Sequence, residues 1–200
     1  MTGGLFDGLK FYYNDITLEI SESVYGPAED SLLLAKRIEI EDLAGKRCLD
    51  MGCGSGFLAV LMAKRGGAVA AADIDPQAAA LTARNARLNN VSVTATVSDL
   101  FSSVSGSYDF IAFNPPYLPV EGESRQWSGG PSGRDVIEKF LQHLPQHLAE
   151  NGKVMMAFSS LTGEKEVKEL AEENGFSFSV AERQKVSWEE LIVAEIKFGK

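Results

Sequence analysis

The chain has 200 residues, of which 28 are acidic and 19 are basic, so its formal net charge at neutral pH is −9. That length suits a single domain, taken as residues 1–200, which can bury roughly 70% of its unfolded surface. The acidic balance argues against a broad, non-specific grip on phosphate backbones.

Composition also disfavours metal-binding, secreted and membrane proteins. Cys48 and Cys53 form neither a CxxC pair nor half of a four-ligand cluster, so we expect reduced thiols, a cytoplasmic location and no metal site. The longest apolar run, FLAVLMA, is too short to cross a bilayer, and MTGGLFDGLK lacks the pattern of a signal peptide. We therefore expect no membrane association.

Strand-forming and helix-forming stretches alternate along the chain. An N-terminal segment rich in strand formers, KFYYNDITLEI, comes first. The predicted elements after it are, in order, helix GPAEDSLLLAKRI, strand KRCLDM, helix FLAVLMAKR, strand AVAAADI, helix PQAAALTARNARLNN, strands VSVTATVS and SYDFIAF, helix DVIEKFLQHLPQHLAE, strand KVMMAF, helix EKEVKELAEEN, and strands FSFSVAE and LIVAEIKF. Pro27 is placed in the first turn of the first helix, and Pro145 is expected to break the fourth. This alternation predicts an α/β fold with a mostly parallel, doubly wound sheet.

The stretch VSVTATVS differs from the other strands because Val91, Val93, Ala95 and Val97 alternate strictly with serine and threonine. Central parallel strands are usually apolar throughout. The pattern therefore predicts a strand at the edge of the sheet.

A glycine-rich turn follows the strand KRCLDM directly and precedes a helix. Gly52, Gly54 and Gly56 in DMGCGSG would let the backbone approach a ligand closely at the carboxyl end of the sheet. A dinucleotide fingerprint would have its third glycine one position later, where Phe57 stands. Asp73 ends the next strand roughly 20 residues on, where a carboxylate can accept hydrogen bonds from both ribose hydroxyls. Together these features predict a nucleoside pocket without a pyrophosphate.

Asp99 and Leu100 follow the third strand of this region, in the stretch SDLF. Asp99 could accept a hydrogen bond from an exocyclic adenine amino group, and Leu100 could form an apolar wall. Alone the signal is weak, because an aspartate after a strand is more often a helix cap.

The stretch FNPPY forms a rigid loop, since Pro115 and Pro116 each fix their own φ and lack an N–H. The Asn114 side chain and the Pro115 carbonyl offer two acceptors for one planar NH2 group, and Tyr117 offers a face for stacking. An amide or aromatic amine is a poor nucleophile, so a loop that accepts both its hydrogens suits N-methylation. The irregular stretch that follows, 118–133, is long enough to be a functional loop.

In combination, DMGCGSG, Asp73, SDL and NPPY resemble the class I S-adenosylmethionine-dependent methyltransferases of the Asn-Pro-Pro-Tyr type. VYGPAEDS and WSGGPSGRDVIEKF are similar to the archaeal and eukaryotic HemK-like enzymes in particular. The resemblance covers nearly the whole chain and implies a Rossmann-like, seven-stranded sheet with a C-terminal antiparallel strand. It also implies methylation of the glutamine amide in the Gly-Gly-Gln loop of a translation termination factor, with S-adenosylhomocysteine as product.

The resemblance assigns roles to particular residues. Asn114, Pro115, Pro116 and Tyr117 would form the catalytic amide clamp, and residues 1–26 would cover the cofactor site. The cofactor positions it implies are Ser31, Asp50, Gly52, Gly54, Gly56, Asp73, Asp99, Leu100 and Asn114. Cys53, inside the glycine turn, receives no role because a small apolar filler accounts for it.

The chain departs from the bacterial relatives, which carry an additional N-terminal helical domain that docks the release factor. In the archaeal and eukaryotic enzymes a small zinc-binding activator protein docks beside the cofactor domain. An edge strand at 91–97 is a template for strand addition, and we expect the activator there. An exposed edge or a homodimer through the same strand is the alternative.

Two other functions compete with this interpretation. The same clamp fits the amino group of adenine in DNA or RNA, but base flipping also needs cations on the backbone, and only Arg125, Arg134 and Lys139 are candidates. These three side chains could equally be solvated surface charges. A scaffold subunit that has lost catalysis is disfavoured by the intact NPPY motif.

Overall fold

The computed structural model describes residues 5–7, 10–119 and 129–199. The helices are α1 (Glu29–Glu39), α2 (Phe57–Lys64), α3 (Pro76–Leu88), α4 (Asp135–His143) and α5 (Glu164–Glu173). The strands are β1 (Leu5–Asp7), β2 (Lys10–Tyr13), β3 (Ile16–Glu19), β4 (Arg47–Met51), β5 (Ala68–Asp73), β6 (Val93–Val97), β7 (Tyr108–Phe113), β8 (Leu148–Ser159), β9 (Phe176–Val186) and β10 (Glu189–Phe198). Short 3₁₀ turns follow α4 and β8, at Leu144–Gln146 and Ser160–Thr162.

Seven strands form one sheet in the order β6-β5-β4-β7-β8-β10-β9. The strands from β6 to β8 pair in parallel, whereas β10 runs antiparallel to both β8 and β9. The predicted fold class is therefore confirmed, including the C-terminal antiparallel strand. Strand β6 stands at one end of this order, as its alternating pattern predicted.

Helices cover both faces of the sheet. Cys48 packs in a core cluster with residues of α1 and α2, whereas its neighbour Leu49 packs with residues of α4 and α5. Successive side chains of a strand point to opposite faces, so a central strand of a doubly wound sheet is buried on both sides. This is why β4 and β7 are apolar almost throughout.

The N-terminal hairpin β2–β3 is joined to α3 through side-chain amides. Asn89 accepts a hydrogen bond from the Thr17 N–H at 3.0 Å and donates to the Thr17 carbonyl at 2.7 Å. Asn85 does the same with Glu19, at 2.8 and 3.0 Å. Two amides one helical turn apart thus imitate a neighbouring strand and fix the hairpin against α3.

Two details differ from the sequence prediction. Pro27 is not in the first turn of α1, because Ala28 is the N-cap and the helix begins at Glu29, which puts two acidic residues at its positive end. The predicted strand KVMMAF is the second half of the longer strand β8, which begins at Leu148. Pro145 lies in the 3₁₀ turn after α4, so the predicted break is confirmed. In the described part of the chain, no helix is long and apolar enough to cross a membrane.

Candidate active site

A cavity of about 490 Å³ lies at the carboxyl ends of the parallel strands. In an open α/β sheet this is where ligands bind. The predicted site residues that line it are Gly52, Gly54, Asp73, Asp99, Leu100, Asn114, Pro115, Pro116 and Tyr117. Ser31, Asp50 and Gly56 are set back from its wall and act on residues that form it. The tertiary structure therefore brings the predicted residues to one place.

The glycine turn between β4 and α2 has left-handed backbone at each of its three glycines. Gly56 also lies against α3, because a Cβ built on it would stand 2.8 Å from the Thr82 Oγ1 atom. The Thr82 hydroxyl donates to the Gly54 carbonyl at 3.1 Å. A side chain at Gly56 would push the turn away from α3, so the glycine is required by packing as well as by φ.

Asp73, at the end of β5, is joined to the glycine turn. Its Oδ2 accepts the Gly54 N–H at 2.9 Å and its Oδ1 accepts the Asp75 N–H at 2.9 Å. Burial raises the pKa of this carboxyl, and the two N–H groups oppose the shift. Each oxygen keeps a second lone pair that can accept from a ligand.

Asp50 lies beneath the turn and is 1% exposed. Its Oδ2 accepts the Ala59 N–H at 2.9 Å, in the first turn of α2, whose N-cap Gly56 has no side chain to offer. Burial raises the pKa of Asp50 to about 8, and the charge of Asp73 adds to the effect. Asp50 therefore caps α2 from a neighbouring strand and fixes the turn from below.

The loop after β6 has an unusual backbone. Leu100 has a φ of +48°, in the left-handed region that residues with side chains seldom adopt. The buried Ser98 hydroxyl donates to the Leu100 carbonyl at 2.7 Å and accepts the Ser103 N–H at 2.9 Å. These bonds hold Leu100 in the cavity wall beside the exposed Asp99.

In the Asn114 side chain, the amide nitrogen has a hydrogen-bond partner among the described residues and the amide oxygen has none. Its Nδ2 donates to the Ser31 Oγ at 3.3 Å. Its Oδ1 is buried and has no hydrogen-bond partner among the described residues. Within the same residues, no backbone N–H donates to the Pro115 carbonyl. A buried acceptor without a donor is costly, so this pair of oxygens points to a ligand that brings N–H groups.

Tyr117 and Tyr25 share one carboxylate. Both hydroxyls donate to Asp30, Tyr117 to Oδ2 at 2.9 Å and Tyr25 to both oxygens at 2.9 Å. Burial raises the pKa of both phenols, and the Asp30 charge raises it further. Both hydroxyls therefore stay protonated at neutral pH and remain donors.

A second cavity of about 370 Å³ lies on the other side of this carboxylate and shares Tyr25, Asp30 and Tyr117 with the first. Its outer wall is the turn between β9 and β10, where Trp188 is 95% exposed. A tryptophan this exposed is unusual on a free surface and typical of contact sites.

The first cavity is strongly acidic. Asp30, Asp73, Asp75, Asp99 and Asp135 line it, whereas Lys139 is the one cation among its described lining residues. Of the three cations proposed for a nucleic-acid patch, Arg134 is engaged internally, where its guanidinium donates to the carbonyls of Ser132 and Thr162. Arg125 lies outside the described residues.

Comparison with known proteins decides the family. A family model described as "Methyltransferase small domain" matches residues 26–186. The chain belongs to this family. The methyltransferase is 40% identical over 186 residues to a protein of Methanocaldococcus jannaschii provisionally named a protein N5-glutamine methyltransferase, which covers 89% of this chain and 93% of that protein. It is 33% identical over 194 residues to methyltransferase HEMK2 of Mus musculus, covering 88% and 90% of the two chains.

Among solved structures, the methyltransferase is similar to one titled as the E. cuniculi Mtq2–Trm112 complex responsible for methylation of the eRF1 translation termination factor. The TM-score is 0.74 at 26% identity, with 88% of this chain and 98% of that chain covered. The HemK-like resemblance drawn from the motifs is thereby confirmed, and the protein is a class I methyltransferase that uses S-adenosylmethionine.

Sequence reasoning did not single out several residues that shape this site. Asp30 stands beside Ser31 in PAEDS and carries no motif signature, although it is 5% exposed and accepts hydrogen bonds from two tyrosines. Thr82 and Asn85 lie within the helical stretch PQAAALTARNARLNN and have no motif signature of their own. A polar residue on the apolar stripe of a helix was the available signal, since a buried polar group needs a partner.

Proposed function

We propose that this methyltransferase transfers a methyl group to the side-chain amide of the glutamine in the Gly-Gly-Gln loop of a translation termination factor. The observation that carries the proposal is the buried Asn114 Oδ1, which has no donor among the described residues, beside the Pro115 carbonyl. Two fixed acceptors suit one planar NH2 group. The names of the M. jannaschii relative and of the E. cuniculi complex support glutamine and a termination factor as the target.

The role of the clamp follows from amide chemistry. The nitrogen lone pair of an amide is delocalised into the carbonyl, so the nitrogen attacks an electrophile poorly. Hydrogen bonds from the NH2 group to Asn114 and Pro115 draw electron density to nitrogen and fix its lone pair in one direction. As the N–CH3 bond forms, the bond between the methyl carbon and the sulfonium sulfur of the donor would break, leaving a neutral thioether, and the nitrogen would lose one proton to solvent.

The cavity fits S-adenosylmethionine, which when bound supplies an electrophilic methyl group on a sulfonium. Five carboxylates around it attract a ligand that carries a sulfonium and an ammonium. Asp73 would accept from the ribose hydroxyls, Asp99 and Leu100 would contact the adenine, and Gly52 and Gly54 would allow close approach. Asp50, Gly56 and Ser31 would act by fixing these elements. The product S-adenosylhomocysteine lacks the sulfonium charge and would bind with less electrostatic attraction.

The second cavity is the proposed site for the polypeptide that flanks the glutamine. It adjoins Tyr117 and is bounded by Trp188, so a chain lying there reaches the clamp. Tyr117 would provide a stacking surface for the planar amide at the junction. The protein is expected to act in the cytoplasm, where translation ends.

A small activator protein is proposed to dock on the outer edge of β6. Among the described strands, β6 pairs with β5 alone, so its other edge offers free N–H and C=O groups. The E. cuniculi relative is titled as a complex with Trm112, which supports a partner subunit. That this partner binds zinc follows from the family resemblance.

Methylation of adenine in DNA or RNA is the weaker candidate. The first cavity presents five carboxylates against one lysine, and Arg134 is engaged with backbone carbonyls. A flipped base would bring phosphates towards this acidic surface.

The experiment that decides between them is methyl transfer from radiolabelled S-adenosylmethionine to a purified termination factor, to duplex DNA and to tRNA under the same conditions. We expect label on the factor alone, and none when its Gly-Gly-Gln glutamine is replaced by alanine. Comparable labelling of either nucleic acid would reverse the assignment.

A further inference from the structure

One carboxylate holds both ends of the FNPPY loop. Asp30 lies in the first turn of α1, on a different element from the loop, and is 5% exposed. Its Oδ2 accepts the Tyr117 hydroxyl at 2.9 Å, and its Oδ1 accepts the Ser31 hydroxyl at 3.1 Å and the Ser31 N–H. Ser31 in turn contacts Asn114. Asp30 therefore binds Tyr117, the last residue of the loop, directly. It is linked to Asn114 through the Ser31 hydroxyl.

The Ser31 hydroxyl links Asp30 to Asn114, donating a hydrogen bond on one side and accepting one on the other. A serine hydroxyl has a single hydrogen, and Asp30 can only accept when it is ionised. The Ser31 hydroxyl donates to Asp30 and also lies within hydrogen-bonding reach of the Tyr25 hydroxyl, whose own hydrogen goes to Asp30. With either acceptor, the Ser31 Oγ offers only lone pairs to Asn114. The Asn114 Nδ2 at 3.3 Å is a suitable donor, so the amide is held with its NH2 towards Ser31.

This orientation fixes what the cavity can recognise. With Nδ2 directed at Ser31, the buried Oδ1 of Asn114 is left as an acceptor without a donor among the described residues. The opposite orientation of the amide would place an NH2 group there. An acceptor favours a substrate that donates, such as an amide NH2, whereas an NH2 would favour a carboxylate oxygen.

We infer that Asp30 is a positioning residue that selects glutamine over glutamate, by setting the direction of the Asn114 amide through Ser31. The inference rests on the proposed function, since it concerns the same amide clamp. The position of Asp30 in the first turn of α1 suits a carboxylate, because the N-terminus of a helix favours an acidic side chain.

Asp30→Asn is the variant that tests this role. An asparagine keeps the size of the side chain but can donate, so Ser31 is free to turn its hydrogen towards Asn114 and the amide can reverse. The matched control is Asp42→Asn, the same exchange at an exposed carboxylate that lines neither cavity.

The readout is the ratio of dissociation constants for two peptides that differ only in Gln or Glu at the Gly-Gly-Gln position, measured with S-adenosylhomocysteine present. We expect the wild type and Asp42→Asn to prefer glutamine by about tenfold or more, as a site built around one hydrogen-bond pattern does. Asp30→Asn should lower that preference to within about threefold and lower kcat at least about tenfold.

Ser31→Ala is the second variant, which removes this hydroxyl but leaves the Asp30–Tyr117 bond. It should relax the Gln/Glu ratio as Asp30→Asn does, and the double variant should add little, because the two residues act in series. A full glutamine preference in either single variant would overturn the inference. A wild type that neither binds nor methylates the glutamine peptide would instead overturn the proposed function.

Discussion

Asp73 and Gly54 are joined by a hydrogen bond of 2.9 Å, from the backbone N–H of the glycine to the carboxylate. The end of β5 thus holds the turn that follows β4, and the carboxylate proposed to bind ribose also shapes the backbone beside it. Losing this side chain would affect the cofactor pocket in two ways.

Asp73→Ala should weaken binding of S-adenosylmethionine more than a single contact would suggest. Two ribose hydroxyls lose a charged acceptor, at about 1.5–3 kcal/mol each, and the Gly54 N–H loses its partner. Titration calorimetry measures the change. The control is Glu173→Ala, an exposed acidic residue at the end of α5 that lines neither cavity. Affinity of the Asp73 variant within threefold of wild type would remove it from the ribose role.

Asn114→Ala should leave the cofactor bound and abolish most turnover. Loss of an oriented polar group at a reacting centre lowers kcat by about 10²–10³-fold. Asn114→Asp is the matched exchange, since it keeps the shape but carries no NH2 for Ser31 and adds a charge beside Asp30. Methyl transfer to the termination factor, measured beside cofactor affinity, checks both variants. Near-normal turnover in the alanine variant would exclude the amide-clamp mechanism.

Asp50→Asn should change how stability depends on pH. Burial raises the pKa of Asp50 from 3.8 to about 8, so the folded protein holds this proton more tightly than the unfolded chain. Stability is then highest below the unfolded pKa and falls as pH rises towards about 8, by at most about 1.4 kcal/mol per pH unit. Asparagine cannot lose the proton, so urea denaturation between pH 5 and 8 should show a flatter profile. Part of the dependence of the unfolding free energy on pH should remain in this variant, because the pKa of Asp73 is raised too.

The control for that experiment is Asp109, a carboxyl whose pKa is shifted in the opposite direction to that of Asp50. The Arg47 N–H lowers the pKa of Asp109, whose side chain is 36% exposed. Its contribution is present at neutral pH and lost as pH falls towards the acid range, so Asp109→Asn should alter only the acid limb. An unchanged slope in Asp50→Asn would show that this carboxyl is not neutral in the folded protein.

Trp188→Ala should raise KM for the termination factor by about tenfold, as loss of an aromatic anchor at an interface often does. Cofactor affinity and melting temperature should stay close to wild type, because Trp188 is 95% exposed and its truncation leaves no cavity in the hydrophobic core. Ile40→Ala, at an apolar residue 66% exposed beyond α1, provides the comparison. An unchanged KM would mean that the protein substrate does not use the second cavity.

A proline on β6 tests the proposed activator site, and its position matters. The Ser98 N–H donates to the Asp73 carbonyl, so with alternating directions along the strand the Thr94 N–H faces β5 and the Ala95 N–H faces the open edge. Proline at Thr94 would therefore break the native ladder. Ala95→Pro removes only an outward donor and should abolish co-purification of the activator, whereas Ala95→Val should retain it. A wild-type chain that is monomeric, fully active alone and indifferent to the activator would refute this docking site.

Local patterns along the chain were enough to predict the order of the elements and to recognise the motifs. Strand periodicity, the glycine turn and two prolines are local properties, because each depends on φ preferences and on neighbours a few residues away. The alternation of Val93 and Ala95 with threonines was enough to predict an edge strand, and the structure confirms it. The predicted place of Pro27 was wrong by a few residues, since a helix boundary depends on which donors are satisfied.

The contacts between the motifs could be seen only in the folded chain. Asp50 and Asp73 are both strand-end aspartates in the sequence, but the fold buries one under α2 as a cap and leaves the other in the cavity wall. The link from Asp30 through Ser31 to Asn114 spans 83 positions in its last step and has no local signature. Hydrogen bonds between distant segments depend on where the packed sheet and helices place them, and no pattern of neighbouring residues encodes that placement.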